Sequence, residues 1–429
     1  MPPGAQRLSR EDLSILALEN ETVAGHACKV IVLRGALDID RLRASIAGRL
    51  HRAPRLRLRL REIGGVAWWV PDPELDLTAH VVRSAPAGAG DDDAFRAAVA
   101  AVFTQHLDRS RPLWRIDVLP GLAGGRSALI WRIHHALADG LTAMRMASEV
   151  LWDEHPGTAP RPARGHRRPA AAGPGTAAGS GLLADLRTAA REAPQPWLRS
   201  PFDGHIDARR SVAFAAAGLD ALRDVSHATG GATVNDAVLT VVAGGLRRWL
   251  EAQHGHLGAV RVKVPVSLHG RGEQGSQAGN RDSFFCLDLP LSPADPVQRL
   301  AAIRQATKVR KQDHDAQHLD SLMRELAHVP GLSQFAEHVL SHPRSFALNV
   351  SNVPGPRQPV HVLGLPAEAM YSLAEIREHH ALRIAVVSLA GTLNFGLVAD
   401  PTLLPGVGQL AAGLQAEAAA LAACLPPLT

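Results

Sequence analysis

The run His134-His135-Ala136-Leu137-Ala138-Asp139-Gly140 gathers the side chains of this sequence best suited to proton transfer. A neutral imidazole, with a reference pKa of about 6.5, can take the proton of an alcohol or amine as that group attacks a carbonyl. General base assistance is typically worth roughly 100-fold to 10,000-fold, or about 3 to 5 kcal/mol of barrier, so positioning and oxyanion stabilisation must supply the rest. Neighbouring residues on a strand point to opposite faces, which gives the two histidines different tasks: one faces a cleft and the other braces the backbone. The residues alone leave open which is which. A metal reading of His135 and Asp139 lacks a third ligand at a recognisable spacing, and Cys28, Cys286 and Cys424 are remote in sequence. Asp139 also stands where an N-cap belongs, just before Gly140 and Leu141, so its carboxylate can satisfy helix amides whether or not it serves catalysis.

Two further segments carry polar groups at element boundaries. In residues 231–239, Thr233 followed three positions later by Asp236 makes a capping box, which favours a structural role for Asp236 and places Asn235 at the amide-rich end of a helix. One preorganised donor to an oxyanion is worth about 2.7 to 4 kcal/mol, so Asn235 is a candidate for that task. Residues 349–356, Asn-Val-Ser-Asn-Val-Pro-Gly-Pro, follow an apolar strand and by themselves read as an ordinary turn.

These groups need a scaffold, and the apolar periodicity supplies one. A helix begins at Asp38, with Leu42, Ile46 and Leu50 on one face. Residues 55–61 alternate Arg with Leu and read as a strand that puts Leu56, Leu58 and Leu60 on one side, returning as a hairpin at 66–70. A helix over 93–107 precedes strands at 115–119 and 127–133, joined through Gly124 and Gly125. The second strand runs into the histidine motif, and a helix with Leu141, Met144, Ala147 and Leu151 on one face follows. Residues 153–205 turn to Pro, Ala, Gly and Arg and read as a crossover linker. Beyond it come a helix at 233–250, strands at 261–266 and 283–289, two buried strands within 384–399 and a closing helix at 409–424. The expected fold class is therefore α/β (α+β), mixed sheets with flanking helices, with domains at 1–152 and 206–429.

A chain of 429 residues has length for two or three domains, and a hydrophobic fraction of 46% with 20% charged residues excludes collagen, coiled coil and wholesale disorder. Four lysines, Lys29, Lys263, Lys308 and Lys311, leave 46 − 4 = 42 arginines, and the formal charge is +5. That balance favours anionic partners only weakly, and with 4% aromatic residues and no recognised nucleic-acid module, no nucleic acid is expected to bind. Three distant cysteines cannot form a disulfide framework, and residues 1–12 lack the apolar core of a signal peptide, so a cytoplasmic location is expected. No stretch reads as a membrane span, so any membrane contact is expected to be peripheral and, for a cytoplasmic protein, on the inner membrane face.

Taken together and in this order, the HHxxxDG run, Pro112-Leu113-Trp114 ahead of it, Asn235-Asp236 at a helix start and residues 351–356 resemble the bacterial wax ester synthase/diacylglycerol acyltransferase family. Leu8, Ser9 and Asp12, residues 265–267, Gly279-Asn280 and residues 393–401 are similar to its flanking segments, so the resemblance spans nearly the whole chain. It implies a two-domain CoA-dependent acyltransferase fold, similar to chloramphenicol acetyltransferase, with the active site in an interdomain channel. It further implies that His135 is the general base, that His134 and Asp139 shape the site, and that Gly140, Asn235, Asp236, Ser351, Asn352 and Gly355 line the substrate path. Acyl-CoA is then a co-substrate and a fatty alcohol or diacylglycerol the acceptor, with no metal or resident cofactor and with a membrane or lipid-droplet surface as a peripheral partner. Two alternatives stay open: an acyltransferase of the same fold in secondary metabolism, with a carrier-bound donor or an amine acceptor, and a noncatalytic basic protein that binds lipid or nucleic acid.

Overall fold

The alternating apolar residues of the sequence resolve, among the described residues, into two six-stranded sheets and one three-stranded sheet. The computed structural model describes residues 4–85, 91–153, 188, 190–195, 198–267, 282–313 and 342–424. In chain order the first half contains β1 (Gln6–Arg7), α1 (Arg10–Ala17), β2 (His26–Leu33), α2 (Ile39–Arg49), β3 (Leu58–Ile63), β4 (Val66–Pro71), α3 (Leu77–His80), β5 (Val81–Arg83), α4 (Asp92–Phe103), β6 (Trp114–Leu122), β7 (Arg126–His134) and α5 (Gly140–Val150). The second half contains β8 (Ser211–Gly218), α6 (Leu219–Ala228), α7 (Val234–His254), β9 (Arg261–Ser267), β10 (Asp282–Asp288), α8 (Pro296–Gln312), β11 (Leu348–Val353), β12 (His361–Val362), β13 (Leu365–Ala374), β14 (Leu382–Leu389), β15 (Thr392–Ala399) and α9 (Val407–Ala422).

Local sequence signals account for many of these boundaries. Asp38 accepts from the amides of Asp40 and Arg41 and starts α2, whose Leu42 and Ile46 are buried. Ala390 and Gly391, both at positive φ, form the two-residue loop between β14 and β15, a geometry that matches the twist of the strands it joins. The strand expected from residue 55 begins only at Leu58, because residues 54–57 form a 3₁₀ turn opened by Pro54, whose fixed φ suits a helical first position. Leu56 and Leu58 are buried all the same. Most of residues 153–205, together with Gly279 and Asn280, lie outside the described residues.

Sheet membership does not follow chain order. One large sheet runs β12-β13-β2-β7-β6-β5 and the other β10-β9-β11-β14-β15-β8, so β12 and β13, within residues 206–429, complete the sheet of the first half. All eight residues of β2 are buried, and a buried strand needs hydrogen-bonding partners on both edges. β7 pairs with one edge and β13 with the other, both antiparallel. One face of this sheet, with Ile31, Leu129 and Trp131, packs with the apolar residues of α2 and α5. In the other sheet Val350, Ile384, Val386 and Leu397 share a core with α7 and α9. The opposite face of that sheet turns toward β13. A Cβ added at Gly396 would fall 2.1 Å from the Ser372 carbonyl oxygen of β13, and the Phe214 ring of β8 stacks on Tyr371 of β13 at 4.2 Å. The two sheets therefore meet along β13.

Candidate active site

The histidine motif begins where β7 runs out. The amide of His134 donates to the Leu113 carbonyl at 3.0 Å and that of His135 to the Gly25 carbonyl at 3.1 Å, while the amides of Leu137 and Ala138 return to the His134 carbonyl and close a tight turn. The buried His134 ring accepts from the Ala136 amide through Nδ1 at 3.1 Å and turns Nε2 to the Glu19 carboxylate at 3.3 Å. Arg109 donates to the same Glu19 oxygen from Nε at 2.9 Å. Burial alone would raise the Glu19 pKa, but His134 and Arg109 outweigh it and hold the carboxyl below its usual range. Gly25, at φ +67°, is also required here: a Cβ on it would stand 2.6 Å from His134 Nε2. His134 is thus the brace of the pair. Neither Glu19 nor Gly25 is marked by any motif spacing.

His135 points elsewhere. It keeps partial exposure although it lies deep in the fold, and among the described residues its Nε2 has no hydrogen-bond partner. Burial, followed by the positive charges of Arg383, His134 and Arg377, pushes its pKa well below 6.5. The ring is therefore neutral at physiological pH, with a ring nitrogen available to a reacting group. Asp139 caps α5, its Oδ1 accepting from the Thr142 amide at 2.6 Å, and Gly140 brings that helix start against β11, since a Cβ there would meet Val353 at 3.1 Å.

That contact joins the motif to the second half. The pleat of β11 sends Ser351 and Asn352 to opposite faces: Ser351 pairs with Ala385 on the face turned toward β13, and Asn352 pairs with Val386, a residue of the α7 and α9 core. Only Ser351 shares a face with Arg383. Gly355 donates its amide to Ser388 Oγ at 3.0 Å, and a Cβ on it would lie 2.0 Å from the Ser388 carbonyl, so close backbone approach explains this glycine. Asp236 is engaged in holding the start of α7. It accepts from the Thr233 amide at 2.7 Å and from Thr307 Oγ1 of α8 at 2.7 Å, as a buried cap and brace. Asn235 is half-buried one position earlier; no hydrogen bond or ion pair among the described residues joins either of them to His135. Pro112-Leu113-Trp114 is structural: Leu113 holds the His134 amide, and the buried Trp114 donates from its indole to the Leu56 carbonyl at 2.7 Å.

Residues 8–186 match the wax ester synthase/diacylglycerol acyltransferase catalytic domain, and residues 278–422 match the C-terminal domain of the same family. A Mycobacterium tuberculosis H37Rv protein named for diacylglycerol O-acyltransferase activity is 31% identical over 405 residues, covering 80% of this chain and 80% of its own. The chain belongs to the wax ester synthase/diacylglycerol acyltransferase family. It is an acyltransferase. The relative tgs1 of the same organism, also named as a diacylglycerol O-acyltransferase, is 29% identical across 95% of this chain and 94% of its own. Among solved structures, the wax ester synthase/diacylglycerol acyltransferase from Marinobacter aquaeolei VT8 superposes with a TM-score of 0.70 at 24% identity, covering 97% and 98% of the two chains. The first condensation domain of the CDA synthetase gives 0.59 at 17% identity, with 98% and 97% covered. Both likenesses bear out the two-domain CoA-dependent acyltransferase fold.

In this acyltransferase the cap at Asp139 can be separated from any charge effect. Asp139→Asn preserves a capping oxygen and is expected to stay within about 0.5 kcal/mol of the parent in urea unfolding, whereas Asp139→Ala loses about 1 kcal/mol. Equal losses in both variants would show that the carboxylate charge, rather than the cap, is what matters. Among the described residues, one group has metal-ligand spacing, His205, Glu378 and His379. It lies at the surface, with His379 also on Asp203 at 2.8 Å, and it includes neither histidine of the motif.

Proposed function

We propose that this acyltransferase moves a fatty acyl group from acyl-CoA to the hydroxyl of a long-chain alcohol or diacylglycerol, giving a wax ester or triacylglycerol, with His135 as general base. The observation that carries the reading is the Nε2 of the neutral His135 ring, without a hydrogen-bond partner among the described residues, at the junction of the two sheets. The acceptor hydroxyl gives its proton to that nitrogen as its oxygen attacks the thioester carbonyl carbon. The tetrahedral oxyanion then collapses, the carbon–sulfur bond breaks, and the CoA thiolate takes the proton back from His135. The products are ester and free CoA. No electrons are exchanged with a third party, so the step calls for no redox cofactor, and none of its bonds needs a metal. The negatively charged CoA and an acidic membrane surface both suit the excess of arginine, and the site of action is the cytoplasm or the inner membrane face. Among the described residues no helix is long and apolar enough to cross a membrane.

The test is direct. Purified protein incubated with acyl-CoA and a panel of fatty alcohols and diacylglycerol is expected to release thiol in step with ester. Transfer only from a carrier-bound donor, or only to amines, would replace this reading with the secondary-metabolism one. Salt-sensitive RNA or DNA binding without any transfer would overturn both.

A further inference from the structure

Three strands of the second sheet place three polar residues in one cross-strand row. Asn349 of β11 pairs with Lys263 of β9 on one side and with Arg383 of β14 on the other. Paired residues point to the same face, and this face is the one turned toward β13. Adjacent strands lie about 4.8 Å apart, so the backbones of Lys263 and Arg383 are roughly 10 Å apart, with the Asn349 amide between them. Both cations sit deep in the fold and both keep partial exposure.

Neither cation has a carboxylate partner among the described residues. Lys263 Nζ lies over the Phe284 ring at 3.7 Å and near the Phe346 ring at 5.2 Å. Arg383 donates from Nη1 to the Glu375 carbonyl at 3.2 Å, and its buried Nε has no acceptor among the described residues. The nearby acids already have partners: Glu375 takes Arg210 at 2.7 Å and Glu192 takes Arg310 at 3.0 Å. A buried guanidinium with an unused donor carries a large desolvation cost that an oxyanion would relieve.

The row also lies beside the general base. The Ala24 amide reaches a Glu375 carboxylate oxygen at 3.4 Å, the Glu375 carbonyl holds Arg383, and the next residue, Gly25, accepts the His135 amide. An anion on Arg383 is therefore close to the reacting hydroxyl. The phosphates of CoA are not, because the whole pantetheine arm separates them from the thioester.

We propose that Lys263, Asn349 and Arg383 recognise an oxyanionic group, a carboxylate or phosphate, carried by the acceptor a few atoms from the hydroxyl that is acylated. This rests on the acyl-transfer reading above and adds to its alcohol acceptors a preferred class, long-chain alcohols that also carry an acidic group, as hydroxy acids and phospho-alcohols do. The experiment compares 3-hydroxydecanoate with its methyl ester, in acyl transfer from a fatty acyl-CoA and in calorimetric binding. The expected result is a preference of at least roughly tenfold in kcat/KM for the acid, the size of one charge-assisted hydrogen bond. Arg383→Met and Lys263→Met should each lower the acid-to-ester ratio by a similar factor, and Arg383→Lys should restore part of it. A wild-type ratio of one or less, or a ratio untouched by Arg383→Met, overturns the proposal. So does an Arg383→Met protein that loses affinity for acyl-CoA while keeping its acceptor preference, which would assign the anion to the donor. If no acceptor is acylated, the transfer reading fails by itself. Binding then decides the site: Arg383-dependent affinity for 3-hydroxydecanoate upholds it, and equal affinity in the variants overturns it.

Discussion

His135→Ala is expected to lower kcat/KM for acyl transfer by roughly 100-fold to 10,000-fold, the range of a lost general base. Stability should change little, because the Nε2 of that ring holds no partner among the described residues. His134→Ala is the informative contrast: it empties a buried position, leaves Glu19 to Arg109 alone, and should lower the unfolding midpoint together with the rate. The pH dependence follows from the same geometry. A base works only when neutral, and burial with Arg383 and Arg377 nearby holds the His135 pKa well below 6.5. Activity in the free enzyme should therefore persist as the pH falls through 6.5, with the acidic limb of kcat/KM appearing only below it. Thiol release followed from about pH 4.5 to 8 checks this. Full turnover by the alanine variant, or an acidic limb at or above the ordinary histidine value, would remove His135 from the role of base.

Where one local signal decided the structure, the sequence was readable. Asp38 before an apolar-periodic run, Thr233 with Asp236, and Asp139 before Gly140 each identified a helix start, because a cap is made within four residues of chain. The pleat predicts that the two histidines face apart, and the structure does separate them, with His135 the first residue past β7; which of them braces the backbone is decided by Glu19 and Gly25 on the His134 ring. The same alternation sets Ser351 and Asn352 on opposite faces of β11, although the family resemblance places both on the substrate path. The addition of β13 to the sheet of the first half could not be read, since it pairs Ser372 with Lys29 across 343 residues and no periodicity encodes a partner. Glu19 and Gly25 escaped for the same reason. Arg383 and Lys263 have a weak signal: Arg383 is the single charge of β14 and Lys263 is flanked by valines in β9, each at a period-two position facing away from the core residues Val262, Ile384 and Val386. A charge in such a place either pairs or meets a ligand.

The largest stability effect is expected at Glu417, on the buried face of α9. Its carboxylate holds Arg299 of α8 in a short contact and lies 3.6 Å from Arg248 of α7, with Glu417 and Arg299 both almost fully buried. Arg299 also donates to the Pro293 carbonyl at 2.6 Å and to that of Ala294 at 3.2 Å. Gly244 of α7 makes room for this: a Cβ there would lie 2.0 Å from the Glu417 carboxyl carbon. Glu417→Leu removes the acid and leaves a guanidinium charge in the interior, which typically costs about 3 to 5 kcal/mol. Because the penalty belongs to the stranded charge more than to the lost attraction, the double variant Glu417→Leu/Arg299→Met should recover most of it. Urea unfolding of the two single variants and the double one measures this coupling. The three helices cover the core face of the sheet whose other face carries Asn349 and Arg383, so turnover per folded molecule should be unaffected. If the double variant proves as unstable as the sum of the single ones, the pair acts independently of charge, and the tight fit of Gly244 against the Glu417 side chain becomes the better account of how α7 and α9 are held together.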